Sequence, residues 1–341
     1  MTVVDDLKKW ANVEADFADS AVLLGNGFSI NINHKFSYDD LFKYAGLSPA
    51  HQRLFDAARA GANFEQTLRG LDLACAMAEP LGVANDEFLG AARDIRKGLI
   101  KAVRDRHPEK SEYSDAQWIT IREHLLGFRR IYTTNYDLLP YWALLHTDDP
   151  TFGFTDMFTR DCNGVLRFVP SMLSEGTGNN DTTLLYLHGS LLLIRDLFTD
   201  EVSKVASAGK KLLGSISSEW EEEGQSVHFV AEGDEESKIH VIESSKYLNF
   251  CLQALREDTG PVVVLGHSLG EADIHIARAL TEGRDLTDPR LAVGIYPPDC
   301  TELEIARLRQ LLGDETVLFD STSHPLIDPA LGKLVAPANS Q

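Results

Sequence analysis

Apolar positions along this chain fall into short continuous runs separated by stretches with helical spacing, and the arrangement is cleanest in the last third. "PVVVLG", "RLAVGIY" and "TVLFD" are apolar runs of strand length, and between them "ADIHIARAL" and "ELEIARLRQLL" carry apolar residues every three or four positions. A strand, helix, strand, helix, strand order of this kind predicts parallel strands covered by helices on both faces. Upstream, Asp5 to Asp19 reads as an amphipathic helix. "AVLLGNGFSI" reads as a first buried strand ending in glycines, and Ser37-Tyr38-Asp39-Asp40 resembles a capping box opening a helix over "LFKYAGL". Residues 51–128 are mainly helical in pattern, broken near Gly61, at Pro80-Leu81-Gly82 and in "RHPEKSEYSD". "RRIYTTNYD" predicts a strand running into a polar turn, "LLPYWALL" a helix, residues 147–181 a loop or short hairpin, and "TTLLYLHGSLLLI" a strand. Lys204 to Glu223 reads as helix, "SKIHVIES" as strand and "YLNFCLQALRED" as helix. The expected fold is therefore α/β: a doubly wound, mainly parallel, Rossmann-like sheet in one domain over residues 1–341, with a helical insertion at 51–128.

Composition narrows the function more than the fold. With 341 residues and 43% hydrophobic content, the chain can fill a large core without staples. Cys75, Cys162, Cys251 and Cys300 lie far apart with no C-x-x-C pair, and no His/Asp cluster has ligand spacing along the chain. No metal site is expected, and buried reduced thiols are. "MTVVDDLKKW" has neither a basic leader nor an apolar core, and no apolar run reaches membrane-spanning length, so a soluble, cytoplasmic protein without membrane contact is expected. The formal charge of −20, from 52 acidic and 32 basic residues, argues against direct nucleic-acid binding. "EWEEEG" and "EGDEES" read as solvated surface.

In parallel sheets ligands gather beyond the carboxyl ends of the strands. Four predicted strands end in polar or glycine-containing turns: Gly25-Asn26-Gly27-Phe28-Ser29, Thr133-Thr134-Asn135-Tyr136-Asp137, His188-Gly189-Ser190 and Gly266-His267-Ser268-Leu269. The first is either a tight turn or a phosphate cradle, with Ile30 where a G-x-G-x-x-G fingerprint has its third glycine. Thr134 or Asp137 either caps the following helix or meets a ligand. Asn135 is a poor acid or base but a good holder of a hydroxyl or a water. His188 is either a satisfied core histidine or a base, with a glycine after it leaving one side of the ring open. The last turn is also a G-x-S-x-G pattern, and Ser268 followed by carboxylates and His324 keeps the chain order of an α/β hydrolase triad.

The segments "LLGNGFSI", "YTTNYDLL", "LHGS" and "VVLGHSL" resemble, in order and in strand-end placement, the nucleotide-site motifs of sirtuin-like proteins, especially the bacterial sirtuin-like NAD-hydrolysing proteins of antiphage defence. The resemblance spans Leu23 to Leu269. It implies a sirtuin-like fold and NAD as substrate rather than as a resident cofactor. It implies binding roles for Gly25, Asn26, Gly27, Ser29, Thr134, Asp137, Gly266 and Ser268, and catalytic roles for Asn135 and His188. It also implies NAD depletion in defence, under the control of a regulatory protein partner or of homo-oligomerisation. The Pro-x-Phe-Arg stretch and four-cysteine zinc module of sirtuin deacylases are absent, which favours NAD hydrolysis over lysine deacylation.

The residue types suit that chemistry. Nicotinamide leaves NAD as a neutral molecule from a cationic ring, so cleavage needs no general acid; it needs an oxocarbenium-like sugar stabilised and a water placed. Two other readings stay open on the sequence: a nucleotide-sensing module without catalysis, and a serine hydrolase using Ser268.

Overall fold

Strand β1 (Ala21–Leu24) is buried at every residue and sits inside a seven-stranded, all-parallel sheet of order β12-β11-β10-β1-β2-β6-β3. Its neighbours are β10 (Val262–Leu265), also wholly buried, and β2 (Arg130–Thr133). β6 (Thr182–Tyr186) and the two-residue β3 (Phe154–Thr155) extend one side, while β11 (Leu291–Ile295) and β12 (Val317–Asp320) extend the other. Such uninterrupted apolar runs are what a sheet covered on both faces requires. The expected α/β, doubly wound, Rossmann-like arrangement is the one observed, with helices flanking the sheet. The computed structural model describes residues 7–33, 35, 38–58, 64–78, 80–107, 110–146, 153–174, 182–196, 199, 201–206, 225–230, 235–288 and 290–333.

Register fixes where the strands end. Leu24 lies opposite Leu265 on one side and Thr133 on the other, and Thr133 lies opposite Tyr186. The residues that follow these four strand ends therefore come out along one edge of the sheet. Connections run from β1 toward β2 and β6 on one side, and β10 to β12 fill the other side. The point where direction reverses lies between β1 and β10, the crevice in which open α/β sheets take ligands.

The apolar stretch "TTLLYLHGSLLLI", read as strand in character, is two strands in two sheets. β6 ends at Tyr186, and β7 (Gly189–Asp196) belongs to a second, antiparallel sheet of order β4-β5-β8-β7-β9. That sheet also holds β4 (Phe158–Arg160), β5 (Leu166–Phe168), β8 (Val202–Lys204) and β9 (Gln225–Phe229). The β4–β5 hairpin is the short hairpin expected within 147–181. The chain turns between the sheets at Leu187-His188. Gly189 is required there by its φ of 77° and by β9, since a Cβ would stand 2.2 Å from the His228 carbonyl oxygen.

Three local expectations are corrected. "SKIHVIES" is helical, within Glu235–Ser244: Lys238, Ile242 and Ser245 are buried at spacings of four and three, and packing on the next helix, Lys246–Arg256, overrides the β-branched run. Within Asp5 to Asp19, the described residues form two 3₁₀ turns, Trp10–Asn12 and Glu14–Phe17, rather than an α-helix. Buried Leu7, Trp10 and Val13 recur every third residue, the period of that tighter helix. The cysteines are only partly as expected: Cys251 and Cys300 are buried, Cys75 is half-buried and Cys162 is exposed.

Within 51–128 the described residues are helical as expected, in helices Pro49–Ala57, Phe64–Ala78, Asp86–Arg106 and Asp115–Leu126. The last is opened by a capping box between Ser114 and Gln117. Ser37 and most of Lys204 to Glu223 lie outside the described residues, while the helix expected over "LFKYAGL" is present as Tyr38–Tyr44. No described helix is long and apolar enough to cross a membrane.

Candidate functional site

Two tight turns cross at the crevice between β1 and β10. Gly266 has a φ of 65°, and a Cβ on it would stand 2.4 Å from the Phe28 nitrogen. A Cβ on Gly25 would in turn stand 2.5 Å from the Gly266 carbonyl oxygen. The Gly27 N–H donates to that same carbonyl at 2.8 Å. The first duty of these glycines is thus the close passage of two backbones, and the cavity opens beside it.

The cavity measures about 300 Å³ and is lined by all four strand-end motifs, with Asn26, Gly27, Thr134, Asn135, Asp137, His188, Gly266 and Ser268 in its wall. Gly25 and Ser29 stand behind that wall. Ser29 is fully buried, and its hydroxyl donates to Asp137 Oδ2 at 2.5 Å and accepts from Asn135 Nδ2 at 2.9 Å. It joins the two side chains that face the cavity.

Asn135 is fixed from three sides. Its Nδ2 donates to the Gly25 carbonyl and to Ser29, both at 2.9 Å, and its backbone N–H donates to Thr133 Oγ1 at 3.0 Å. With both amide hydrogens committed, Oδ1 is the group it presents to a ligand, and that group accepts hydrogen bonds. Asp137 Oδ1 accepts the Leu139 N–H at the start of helix Leu139–Leu144, and the residue also lines the cavity. Burial pushes its pKa up to about 6, against the lowering effect of its bonds to Ser29 and Leu139. The helical region braces this loop, because His107 Nε2 accepts the Leu138 N–H at 2.9 Å.

His188 is buried at the corner between the two sheets, and burial drives its pKa well below the ordinary value, so the ring is neutral at pH 7. Its Nε2 faces His275 Nε2 at 2.9 Å and lies 3.9 Å from Asp273 Oδ1. Burial likewise lowers His275, to about 4. Asp273 is held ionised: burial raises its pKa, but His188, Lys238 and His267 together pull it far below the usual carboxylate range. Lys238 donates to Asp273 Oδ1 at 2.7 Å, and His267 Nε2 lies 3.8 Å from Oδ2. His267 Nδ1 accepts the Leu269 N–H at 2.9 Å, so its proton sits on Nε2, toward the carboxylate.

His267, Lys238, Asp273 and His275 are the site residues that the sequence reading missed. Asp273 and His275 follow the fourth motif within nine residues of Gly266, at the entry to helix Ile274–Thr281, so a search for polar residues beyond the turn would have found them. Lys238 gave no such signal, because its segment read as a strand. The expectation that no His/Asp cluster has ligand spacing fails in three dimensions: candidate ligand atoms of His188, Asp273 and His275 lie within 4.8 Å of one another. Chain separation, 87 residues between the histidines, hid the cluster.

Ser268 lacks the surroundings of a nucleophile. It is exposed, the left-handed backbone falls on Gly266 and Leu269 rather than on the serine, and Arg307 holds its carbonyl at 2.7 Å. His324 is occupied elsewhere: its ring lies 4.5 Å from Trp10 and stacks on Phe128, and its Nδ1 accepts the Leu326 N–H. Gly27, Gly266, His267 and Ser268 also line a second cavity of about 570 Å³, walled by apolar Ile30, Val293 and Leu308 and reaching Asp299 and Thr322. The two cavities lie on either side of the crossed turns.

Comparison with curated proteins finds no match. Residues 22–323, most of the chain and all of the site just described, match the family described as Domain of unknown function (DUF4917), and the chain belongs to that family.

Proposed function

We propose that this protein cleaves the bond between nicotinamide and ribose in NAD, releasing nicotinamide and ADP-ribose. The observation that carries the reading is the pairing of cavities across the crossed turns at the sheet's reversal point. A polar one of about 300 Å³ holds Asn135, Asp137 and His188, and a more apolar one of about 570 Å³ adjoins it through Gly27, Gly266, His267 and Ser268. A dinucleotide has this bipartite form, with its pyrophosphate passing the glycines and its adenosine taking the larger, apolar side.

In the smaller cavity each group has a task suited to its chemistry. Asn135 Oδ1 accepts from the attacking water or a ribose hydroxyl, fixed in direction by the two bonds on its amide nitrogen. Ionised Asp137 accepts from a ribose hydroxyl and places negative charge near the sugar as it becomes oxocarbenium-like. Neutral His188 takes the proton that the water gives up, and the ionised Asp273 nearby favours the resulting imidazolium. No acid is required for the leaving nicotinamide.

The likeness to sirtuin-like defence proteins supports a role in depleting NAD under control of a partner or of self-assembly. Incubating the protein with NAD and quantifying nicotinamide and ADP-ribose tests the chemistry directly. A protein that binds NAD but releases no nicotinamide, with or without proteins encoded beside it, would refute it.

A further inference from the structure

Two imidazole nitrogens that point at each other across 2.9 Å share one hydrogen between two lone pairs. Beside the His188–His275 pair stands the Asp273 carboxylate, with Oδ1 3.9 Å from His188 Nε2. The two measured separations, 2.9 and 3.9 Å, straddle the edge of about 3.3 Å expected between ligands of a tetrahedral ion bound at about 2.0 Å. His267 is not a fourth ligand, since its Nδ1 lone pair takes the Leu269 N–H and its other nitrogen carries the proton. Three ligands, two of them, His188 and Asp273, in the cavity wall, match an open metal site, which keeps its fourth position for water or substrate. Two imidazoles and one carboxylate suit a divalent first-row transition ion and not magnesium or calcium, which require oxygen ligands.

The groups around the cluster identify what the ion must displace. Lys238 Nζ sits 2.7 Å from Asp273 Oδ1, and the lysine side chain is only 4% exposed. A buried ammonium this close to the carboxylate balances its charge when no ion is bound, and it opposes an incoming dication. We infer that His188, His275 and Asp273 form a site for a zinc-like divalent ion that competes with the Lys238 ammonium for the Asp273 carboxylate. Resting on the hydrolase reading above, the ion is an inhibitor: a dication bound at His188 Nε2 opposes the gain of a proton by that ring.

Metal binding and NAD cleavage are tested separately. The full chain, freed of metal by a chelator, is titrated with Co²⁺ followed by visible absorption, and with Zn²⁺ in competition. One equivalent of Co²⁺ should give the intense visible bands of a low-coordinate site, bleached by one equivalent of Zn²⁺. His275→Ala and His275→Gln, the second retaining a hydrogen-bonding partner for His188, should both lose the bands. Lys238→Met should bind at least about tenfold more tightly, because a like charge has been removed. Absence of the bands in wild type, retention of wild-type affinity in both His275 variants, or weaker binding in Lys238→Met would each overturn the site. If the wild type releases nicotinamide, one equivalent of Zn²⁺ should stop it, and Lys238→Met should require less zinc in proportion to its activity. Bands without nicotinamide release would retain the metal site and refute only the hydrolase reading.

Discussion

Asp258, buried, and Asp273, half-buried, are carboxylates at opposite edges of the same parallel sheet, and they end in different conditions. Asp258, at the edge where β2 and β10 begin, receives Arg129 in a bidentate pair at 2.5 and 2.7 Å, Arg130 at 3.4 Å, the Tyr132 hydroxyl at 3.0 Å and the Gly260 N–H at 3.1 Å. Asp273, beyond the end of β10, has Lys238 as its close side-chain donor among the described residues, at 2.7 Å, while His188 and His267 stand at 3.9 and 3.8 Å. In both, the neighbouring side chains, arginines at Asp258 and Lys238 with two histidines at Asp273, overcome the burial that would raise the pKa. Asp258 has its lone pairs filled by the protein, which makes it a clasp. Asp273 opens on a cavity with capacity left over, and that leftover capacity leaves its edge of the sheet able to take a ligand.

The largest effect should come from breaking the clasp. Asp258→Ala leaves two arginines without their anion; a broken buried pair costs about 3–5 kcal/mol, and the partial exposure of Arg129 and Arg130 places this one near 3. Denaturant unfolding should show that loss with an unchanged slope, while activity per folded molecule stays at the wild-type level. The folded-state pKa of Asp258 lies below its ordinary 3.8, so its contribution is fully present above that value and is lost as pH falls below it. The difference between variant and wild type should therefore shrink in acid. A variant as stable as wild type at pH 7 would remove the contrast.

At the open edge the expected effects reverse, with stability kept and turnover lost. On the proposed reading, Asn135→Ala removes the acceptor that fixes the water or ribose hydroxyl, and His188→Ala removes the proton acceptor. Each should lower kcat for nicotinamide release by about 10²-fold or more. Circular dichroism and unfolding midpoints keep loss of folding distinct from loss of chemistry. Either variant turning over NAD at the wild-type rate would take its residue out of the mechanism.

Much of this contrast was legible in the sequence on one side only. The parallel sheet and the four strand-end turns follow from apolar runs, glycines and the polar residues after them, because a strand buried on both faces leaves little ambiguity. His188 and Asn135 stand out for the same reason: they are polar residues directly after apolar strands. The charged half of the site does not stand out. Lys238 sits among β-branched residues that resemble a strand until the neighbouring helix packs on them, and the His188–His275 contact joins residues brought together only by the fold. The clasp at Asp258 was equally hidden, since "RED" at a helix end reads as solvated charge until Arg129 and Arg130 at the start of β2 lie against it.

A smaller effect should separate the cavity carboxylate from both aspartates just compared. Asp137 is buried with no cation beside it among the described residues, and its pKa rises to about 6. The folded state therefore holds a proton between the ordinary 3.8 and about 6 that the unfolded chain has lost, so this group makes stability fall as pH rises through that window. On the proposed reading, ionised Asp137 is the form that accepts from ribose hydroxyls, so kcat/KM should rise through an inflection near pH 6. Asp137→Asn should remove the inflection, keep the bond from Leu139 and lower kcat/KM on the alkaline side by roughly tenfold. An inflection that survives in Asp137→Asn would assign it to another group.

The smallest effect belongs to Ser268, which stands at the junction of the two cavities without an activating partner among the described residues. If the hydroxyl donates one hydrogen bond to the bound dinucleotide, Ser268→Ala costs about 0.5–1.5 kcal/mol, or at most roughly a tenfold rise in KM, with kcat largely kept. The wild type should resist labelling by a fluorophosphonate probe, because no histidine among the described residues bonds to Ser268 and His324 is held between Trp10 and Phe128. A serine nucleophile requires the opposite ranking: Ser268→Ala inactive, Asn135→Ala active, and the probe attached at Ser268. Measuring nicotinamide release by both variants beside probe labelling of the wild type decides between the two rankings, since an enzyme using the crossed turns as a dinucleotide seat has no step in which that hydroxyl forms a covalent bond.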